Sequence, residues 1–282
     1  GGLWSGKMLI QVNGIDVNFE ESSSGWPILM LHGGYLDQRH KKDEMEPAYL
    51  DRAGWHRIYP DLPAHGRTPT LPRPMTFDAL LDHVISFIDA VVPGKRFAVA
   101  GMSAGGHLVR GLVTKYPDRL LGVCINAAPF VIDYKKRDLP EPSTIFEEDG
   151  FAKKAGDRTD TLRFLQPLRD AALVDWDTSC LRPALSLLDE EDALESWRPE
   201  NYAFSFNPDE VGAPFTAPSL ILAGRQDTIA GYRDTWMSVE RFPRATFATL
   251  DGCGHFIAPA KRELFRSLVI DWLDRMELDG GE

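Results

Sequence analysis

The hydrophobic and polar positions of this sequence alternate with the period of β-strands at several places along the chain. Residues 8–12 and 15–21 show this alternation on either side of Asn13-Gly14, a dipeptide typical of the two-residue turn of a β-hairpin. Residues 27–31 form a continuous apolar run, as expected of a strand that is buried on both faces. Further strands are predicted at residues 55–60, 97–101, 120–126, 219–223 and 245–250.

Helical periodicity appears between most of these strands. Residues 77–92 carry an apolar stripe at helical spacing, and Thr76 or Asp78 can cap the start of that helix. Helices are also predicted within residues 36–53, 104–116, 232–241 and 261–276. Strands that alternate with helices imply an α/β protein with a mostly parallel, doubly wound sheet and helices on both faces. Ligands bind such sheets at the carboxyl ends of the strands.

The alternation of strands and helices fails in the middle of the chain. From about residue 130 to 214 the sequence is acidic, interrupted by prolines and rich in aromatic residues, among them Trp176, Trp197, Tyr202, Phe204 and Phe206. We predict that this stretch is a cap inserted into one larger domain. The expected organisation is a core formed by residues 8–129 and 215–277, with the cap or lid at 130–214.

The composition narrows the class of protein. The 282 residues are 43% hydrophobic and 26% charged, which is ordinary for a globular protein. No window approaches 18 uninterrupted apolar residues and the N-terminus lacks a secretory signal, so we expect a cytoplasmic protein with no membrane partner. The net charge of −11 also argues against a nucleic-acid partner. Residues 131–213 hold 19 acidic and 10 basic side chains, so most of this charge lies in the predicted cap.

The stretch Gly101-Met102-Ser103-Ala104-Gly105 joins a predicted strand to a predicted helix without room for a loop. The turn must be very sharp, and a serine at its apex has strained backbone angles. The residues two before and two after the serine need to be glycine, because a side chain there would clash across the bend. This G-x-S-x-G pattern presents a nucleophilic serine at the end of a strand, so Ser103 is the candidate nucleophile.

A serine hydroxyl needs a neighbouring base, and His255 is the best candidate of the seven histidines. It lies in the loop 251–256 after the last predicted strand, where glycines can hold an imidazole over the end of the sheet. His107 is expected beneath the sharp turn at residues 101–105, which we call the elbow, and His32 belongs to a second motif, described below. The other histidines fall on loops or helix faces; they are His40, His56, His65 and His83.

An imidazole that acts as a base needs a buried acceptor for its far nitrogen. Asp227 supplies one, because it follows the predicted strand at 219–223. Asp251 lies too near His255 along the same strand end to be the expected partner. The end of the predicted strand at 120–126 is another position that could carry the acid, but the residue there is Asn126, which has no carboxylate. The alternative is that Asp227 caps a helix or pairs with Arg225.

The buried strand at 27–31 ends in His32-Gly33-Gly34-Tyr35. A pair of glycines there lets backbone N–H groups point into open space, as an oxyanion hole requires. We expect the N–H of Gly34 to be one donor, with Tyr35 as the neighbour that could supply it instead. The N–H of Ala104, at the start of a helix, is the second expected donor. A purely structural Gly-Gly turn is the alternative.

The order of these motifs resembles the α/β-hydrolase superfamily, in its serine hydrolase branch. H-G-G, D-L-P-x-x-G-R-T, G-x-S-x-G-G, G-R-Q-D and G-x-G-H follow one another over nearly the whole chain outside the cap. In the second motif Ala64 and Thr68 replace a glycine and a serine that are common in the family, and neither residue touches the chemistry. The sequence around residues 224–234 and 243–247 resembles a branch without an assigned substrate.

The resemblance implies a Ser103-His255-Asp227 triad, in the chain order expected of this fold, that acts through an acyl-enzyme. The expected substrate is a carboxylic ester, thioester or lactone of a small, largely apolar molecule. Tyr35, Met102 and Phe256 are the candidate substrate-binding residues. No metal-ligand spacing, phosphate loop or dinucleotide fingerprint is present, so neither a metal nor a cofactor is expected.

Two alternatives to ester hydrolysis stay open. The chain also resembles the meta-cleavage-product hydrolases, which break a carbon–carbon bond in an anionic dienoate and would need a cation in the pocket. Candidates for that cation are Arg110, Arg163, Arg182 and Arg198. The second alternative is a ligand-binding receptor or degenerate hydrolase, because plant hormone receptors resemble this fold and retain the triad.

Overall fold

A computed structural model describes residues 4–22, 24–209 and 212–280. Its strands are β1 (Trp4–Val12), β2 (Ile15–Ser22), β3 (Trp26–Leu31), β4 (Trp55–Pro60), β5 (Phe97–Met102), β6 (Leu120–Asn126), β7 (Phe146–Glu147), β8 (Leu168–Arg169), β9 (Ser219–Gly224) and β10 (Ala245–Leu250). Eight of them form one sheet in the order β1-β2-β4-β3-β5-β6-β9-β10, and β7 pairs with β8 separately.

The sheet opens with an antiparallel hairpin and is parallel over most of its width. Asn13 and Gly14 join β1 to β2 with φ angles of 50° and 85°, the left-handed pair that a type I′ turn requires. β2 pairs antiparallel with β4, and the remaining neighbours of the eight-stranded sheet are parallel. The predicted mostly parallel, doubly wound sheet is confirmed.

Helices cover both faces of the sheet. The α-helices are α1 (Gln38–Met45), α2 (Phe77–Val91), α3 (Ala104–Lys115), α4 (Phe151–Ala155), α5 (Thr159–Leu165), α6 (Ala171–Trp176), α7 (Arg182–Leu185), α8 (Glu190–Ser196), α9 (Pro199–Tyr202), α10 (Ile257–Ala260) and α11 (Arg262–Leu278). Alternate strand residues point to opposite faces, so Leu29 and Val99 pack with α2 and α3, whereas Met30 and Ala100 pack with α11.

Residues 130–214, which we call the cap segment, lie between β6 and β9, where the cap is predicted; the rest of the chain is called the core. The described part of this segment holds α4 to α9 and the β7–β8 pair. A π-helical turn at Asp177–Leu181 separates α6 from α7. Pro183 explains it, because proline lacks an N–H and its ring displaces the carbonyl one turn earlier. Positions 210 and 211 of the predicted cap lie outside the described residues.

Two of the predicted helices differ in detail from the observed ones. The stretch at 232–241 is a 3₁₀ helix over Asp234–Arg241, because apolar spacing alone does not distinguish this tighter helix from an α-helix. The last helix extends two residues beyond its predicted end, to Leu278. In the part of the chain that the structure describes, no helix has the length and hydropathy needed to cross a bilayer.

Candidate active site

Ser103 lies in the sharp turn between β5 and α3. Its backbone angles are φ 52° and ψ −117°, a region that residues other than glycine rarely occupy. The N–H of Ser103 donates to the carbonyl of Asn126 at the end of β6, over 2.8 Å. The turn therefore holds the serine in one orientation at the carboxyl end of the sheet.

The two glycines that flank the turn are required by backbone contacts. A Cβ on Gly101 would lie 2.3 Å from the carbonyl oxygen of Gly105, across the bend as predicted. A Cβ on Gly105 would instead meet the carbonyl oxygens of Leu31 and His32, each at 2.5 Å, where β3 ends beside the turn. The second glycine thus lets the elbow approach the neighbouring strand.

The structure brings Ser103, His255 and Asp227 together at this end of the sheet. Nε2 of His255 lies 3.0 Å from Oγ of Ser103, and Nδ1 lies 2.9 Å from Oδ2 of Asp227. With the proton on Nδ1, the imidazole donates to the carboxylate and accepts from the serine hydroxyl. Asp227 is fully buried and His255 is 5% exposed, so bulk water competes little for these hydrogen bonds.

Asp227 is fixed by its own loop, which begins where β9 ends. Its second oxygen, Oδ1, accepts from the N–H groups of Ile229 at 2.8 Å and Ala230 at 3.0 Å. Those donors orient the carboxylate so that Oδ2 faces the imidazole. Asp251, the rejected alternative, accepts from the Gln226 amide at 2.8 Å.

The loop that carries His255 is held from two sides. On the core side, Oε1 of Gln226 accepts from the N–H groups of Gly252 and Cys253 at 2.9 and 3.2 Å. On the cap side, the N–H of His255 donates to the carbonyl of Leu165 at 3.1 Å, and the N–H of Gly254 donates to Oε1 of Gln166 at 2.7 Å. Residues of the cap segment thus set the height of the imidazole above the sheet.

The turn after β3 lies beside the serine. Gly34 and Ala104, the two expected oxyanion donors, both line the cavity that contains Ser103. Ala104 begins α3, so the helix offers its N–H no internal acceptor. A Cβ on Gly34 would lie 2.4 Å from the Trp197 ring, which covers the turn from the cap segment.

His32 has the structural role that its place in the motif predicts. Its Nε2 accepts from the N–H of Leu62 at 2.9 Å, and its Nδ1 is 2.7 Å from the carbonyl of Gly33, to which it donates. Burial lowers the pKa of His32 to about 4, so the ring stays neutral and keeps both hydrogen bonds. The ring therefore ties the glycine turn to the loop after β4.

The remaining histidines stand apart from the reacting hydroxyl. Burial lowers the pKa of His40 and His65 to about 3 and that of His83 to about 4. His107 lies under the elbow as expected, 2.9 Å from the carbonyl of Tyr202, and burial holds its pKa well below the usual range. His56 lies 2.6 Å from Glu21 at the amino end of β4, whereas Ser103 follows the carboxyl end of β5.

A cavity of about 650 Å³ opens onto Ser103 and His255. Its walls are mostly apolar and come largely from the cap segment, including Ile132, Phe164, Leu165, Leu181, Leu185, Trp197 and Tyr202, with Ile229 added from the core. Tyr35 and Phe256, two of the predicted substrate-binding residues, line it. The arrangement suits a small molecule with a substantial apolar surface.

The third predicted substrate-binding residue, Met102, does not line the cavity, and that prediction is wrong. Met102 is 1% exposed and packs with Leu36, Trp176 and Phe256 in an apolar cluster behind the cavity wall. The physical reason is the alternation of side chains at the end of a strand, which turns Met102 away from the side that Ser103 faces.

Sequence reasoning assigned no role to several residues that line the cavity. Of the aromatic residues in the predicted cap, Trp197 and Tyr202 lie in the wall, whereas Trp176 packs behind it. The cations of the wall are Lys135, Arg137 and Arg158. The arginines proposed from the sequence all lie elsewhere and pair with carboxylates; they are Arg110, Arg163, Arg182 and Arg198.

Comparisons with known proteins agree with this architecture. A model of the alpha/beta hydrolase family matches residues 28–266. An alpha/beta superfamily hydrolase from Oenococcus oeni PSU-1 superposes with a TM-score of 0.87 at 25% identity, over 97% of this chain and 100% of that one. A meta-cleavage product hydrolase from Pseudomonas fluorescens IP01 superposes with a TM-score of 0.71 at 18% identity, over 95% and 97% of the two chains, which shows a similar fold.

A curated relative adds a partial match. The pimeloyl-[acyl-carrier protein] methyl ester esterase of Neisseria meningitidis serogroup B is 30% identical over 101 residues. That segment covers 36% of this chain and 36% of the relative, so the match spans about a third of the relative's length.

Proposed function

The chain belongs to the α/β-hydrolase family, and from this premise we propose that it is a serine hydrolase that cleaves a carboxylic ester, thioester or lactone. The observation that supports the proposal is the continuous hydrogen-bonded series from Asp227 through His255 to Ser103. The hydroxyl at its end opens onto a largely apolar cavity, which suits a small, mainly apolar substrate.

In the proposed reaction the residues act in two steps. His255 takes the proton of Ser103 as its oxygen attacks the carbonyl carbon, and the N–H groups of Gly34 and Ala104 stabilise the oxyanion. His255 then gives that proton to the leaving alcohol or thiol, and the bond to the leaving group breaks. A water molecule, deprotonated by His255, then attacks the acyl-enzyme carbonyl, and His255 returns the proton to Oγ of Ser103 as the acid leaves. Asp227 holds the imidazole in the required tautomer and stabilises its cation.

The partial likeness to a methyl ester esterase supports ester substrates over amides. Amine leaving groups depart less readily than alcohols or thiols, so an amide would need stronger assistance from the acid. We therefore place esters, thioesters and lactones first.

Carbon–carbon bond hydrolysis is a second candidate because the cavity wall contains cations. A meta-cleavage product is an anionic dienoate, and Lys135, Arg137 and Arg158 give the wall three positive groups. The similar fold of a meta-cleavage product hydrolase is compatible with this candidate and does not decide between the two reactions.

A fluorophosphonate probe tests the proposed nucleophile. We expect one adduct, on Ser103, in the intact mass spectrum, and no adduct on a Ser103→Ala variant. Ser86→Ala, which removes a hydroxyl on α2 that bonds the carbonyl of Asp82, is the control and should label fully. An unlabelled wild-type protein would overturn the proposal.

Turnover of 4-nitrophenyl butyrate, compared with that of a 2-hydroxy-6-oxo-dienoate, then separates the two candidate reactions. We expect ester turnover that Ser103→Ala abolishes. Turnover of the dienoate alone would establish the second candidate in place of the first.

A further inference from the structure

The charge of the cavity wall is opposite to that of the protein. The chain carries a net charge of −11, and the part of it between residues 131 and 213 has 19 acidic and 10 basic side chains. Among the described residues that line the cavity, the charged ones are Lys135, Arg137 and Arg158, with a single carboxylate, Asp133. An acidic protein thus presents a cationic surface to whatever fills its cavity.

Most of these charges are already accounted for. Arg158 contacts both oxygens of the buried Asp177 at 3.1 to 3.3 Å. Asp133 accepts from the backbone N–H of Lys135 at 3.1 Å, and its other oxygen lies 3.6 Å from Nζ of Lys136. The side chain of Lys135 is exposed to water at the rim. These groups have either a partner or solvent.

Arg137 differs from the other cations. Its guanidinium donates to three backbone carbonyls, those of Val131 at 2.7 Å, Ile132 at 3.0 Å and Ile229 at 2.7 Å. No carboxylate in the described part of the chain forms an ion pair with it. A guanidinium has five N–H groups, so two remain for another acceptor. Burial lowers the pKa of Arg137, and the nearby carboxylates of Asp227 and Asp234, which form no ion pair with the guanidinium, oppose that shift.

We propose that Arg137 binds a carboxylate carried by the substrate, so that the natural ester has an apolar chain with a second, ionised carboxyl group. This inference rests on the proposed function and specifies its substrate class. A planar guanidinium with two free N–H groups can donate them to the two oxygens of one carboxylate, and the charges of the two groups cancel. Such an ion pair is strongest where water is excluded.

The hydrogen bonds from Arg137 to backbone carbonyls fix the position of this subsite relative to the proposed catalytic residues. Ile229 accepts from the guanidinium through its carbonyl and donates through its N–H to Asp227, so one residue links the two sites. The bonds to Val131 and Ile132 hold the start of the cap segment against the same loop. The guanidinium is therefore preorganised, which lowers the cost of binding an anion.

A pair of matched esters tests the proposal. In 4-nitrophenyl hydrogen adipate a carboxylate replaces the terminal methyl of 4-nitrophenyl hexanoate, and both release nitrophenol. We expect wild-type kcat/KM to favour the adipate by about ten- to a hundredfold, the range of a hydrogen bond to a charged group. Arg137→Gln should remove this preference through KM, and Arg137→Lys should restore part of it. Arg163→Gln, which removes an exposed cap arginine outside the cavity, should keep it.

A purely structural Arg137 would give a different result. The variants would then lower the rates for both esters equally, and the ratio between them would stay unchanged, which would overturn the proposal. If the wild-type protein hydrolysed the two esters with equal kcat/KM, the carboxylate subsite would also be overturned. The proposed hydrolase activity would then still stand.

A binding measurement keeps the two proposals separable if no ester is hydrolysed. Titration calorimetry of the Ser103→Ala variant compares monomethyl adipate with methyl hexanoate. Tighter binding of the adipate, lost in the Ser103→Ala/Arg137→Gln double variant, would support the carboxylate subsite even though the hydrolase proposal had failed. Equal affinities would overturn the subsite.

Discussion

At the elbow in the core, backbone lies against backbone, whereas in the cap segment side chains pack against side chains from distant parts of the chain. Gly101 and Gly105 have no room for a Cβ, because carbonyl oxygens occupy the space. The cavity wall, by contrast, is made largely of apolar side chains, most of which other hydrophobic residues could replace, and Arg137 is the exception that we propose to be specific. The comparison teaches that the proposed chemistry depends on a few irreplaceable backbone positions, whereas the proposed choice of substrate depends on the side chains of the wall.

The largest expected effect is in the core. Asp227→Asn should keep the fold, because the amide oxygen can still accept from Ile229 and Ala230. Its NH₂ group would face Nδ1 of His255 and favour the wrong tautomer, so kcat should fall by about 10⁴. Turnover of 4-nitrophenyl butyrate measures the loss.

Asp251→Asn is the matched control, because Asp251 binds Gln226 and does not contact the imidazole. We expect its turnover to stay within about twofold of wild type. A loss below tenfold in Asp227→Asn, with the protein folded, would contradict the role proposed for the core.

A second substitution tests where core and cap meet. In Gly34→Ala the new Cβ lies 2.4 Å from the Trp197 ring, so the turn or the ring must move. If the turn moves, one oxyanion donor is displaced, and kcat should fall by about 10² to 10³. Trp197→Val in the same chain should recover at least about tenfold.

The four proteins form a double-mutant cycle for kcat. Additive effects of the two substitutions would show that the Trp197 ring does not restrict the turn. Core and cap segment would then be energetically uncoupled at the contact between Gly34 and Trp197.

A third prediction concerns acid stability, which we expect to depend on the core. All seven histidines lie outside the cap segment, and four of them are buried with a pKa of about 3 to 4; they are His32, His40, His65 and His83. Unfolded histidines bind protons near pH 6.5, so the unfolded state takes up more protons below that pH. Stability should therefore fall from pH 6.5 to about 4, by up to about 1.4 kcal/mol per pH unit for each histidine.

His83 offers a direct check, since neither of its ring nitrogens has a hydrogen-bond partner within the described residues. Urea unfolding at pH 7, 6 and 5 should show a shallower loss of stability for His83→Leu than for wild type. An unchanged slope would mean that His83 does not contribute to the acid sensitivity.

The smallest expected effect is at the surface between core and cap segment. Arg73 contacts Glu191 at 2.7 Å and Asp192 at 2.6 Å, but Arg73 and Glu191 are mostly exposed. Water and salt screen the Arg73–Glu191 pair, so Glu191→Ala, which leaves the buried Asp192 its ion pair with Arg73, should lower Tm by no more than about 2 °C. A loss above about 5 °C in a thermal melt would show that this contact holds the cap segment in place.

The strands, the elbow and the meeting of Ser103, Asp227 and His255 could be predicted because their causes are local. A sharp turn needs glycines at set positions, and parallel strands bring their carboxyl ends to one edge of the sheet. These requirements can be recognised in the sequence because each of them involves residues that are close together along the chain. Met102 was misassigned because nearness to Ser103 in sequence does not fix the direction of a side chain.

The cavity wall could not be predicted in the same way. Arg137 faces the cavity because three carbonyls from two separate loops hold it, and Trp197 covers Gly34 only after α8 and α9 have packed. Both facts depend on contacts between residues far apart in the sequence. In the sequence the two residues are only an arginine that follows two lysines, and a tryptophan in an acidic stretch.

The two hydrogen bonds from the His255 loop to Leu165 and Gln166 limit how this protein could be re-engineered. A lid transplanted from another hydrolase would have to supply a carbonyl and an amide oxygen at the same two points. Without them, the loop that carries the imidazole would lose these hydrogen bonds to the cap segment. A chimera built by exchanging residues 130–214 alone would therefore fail more often than one that retains the short stretch around Gln166. The part of the molecule that we propose selects the substrate therefore also holds the proposed general base in place.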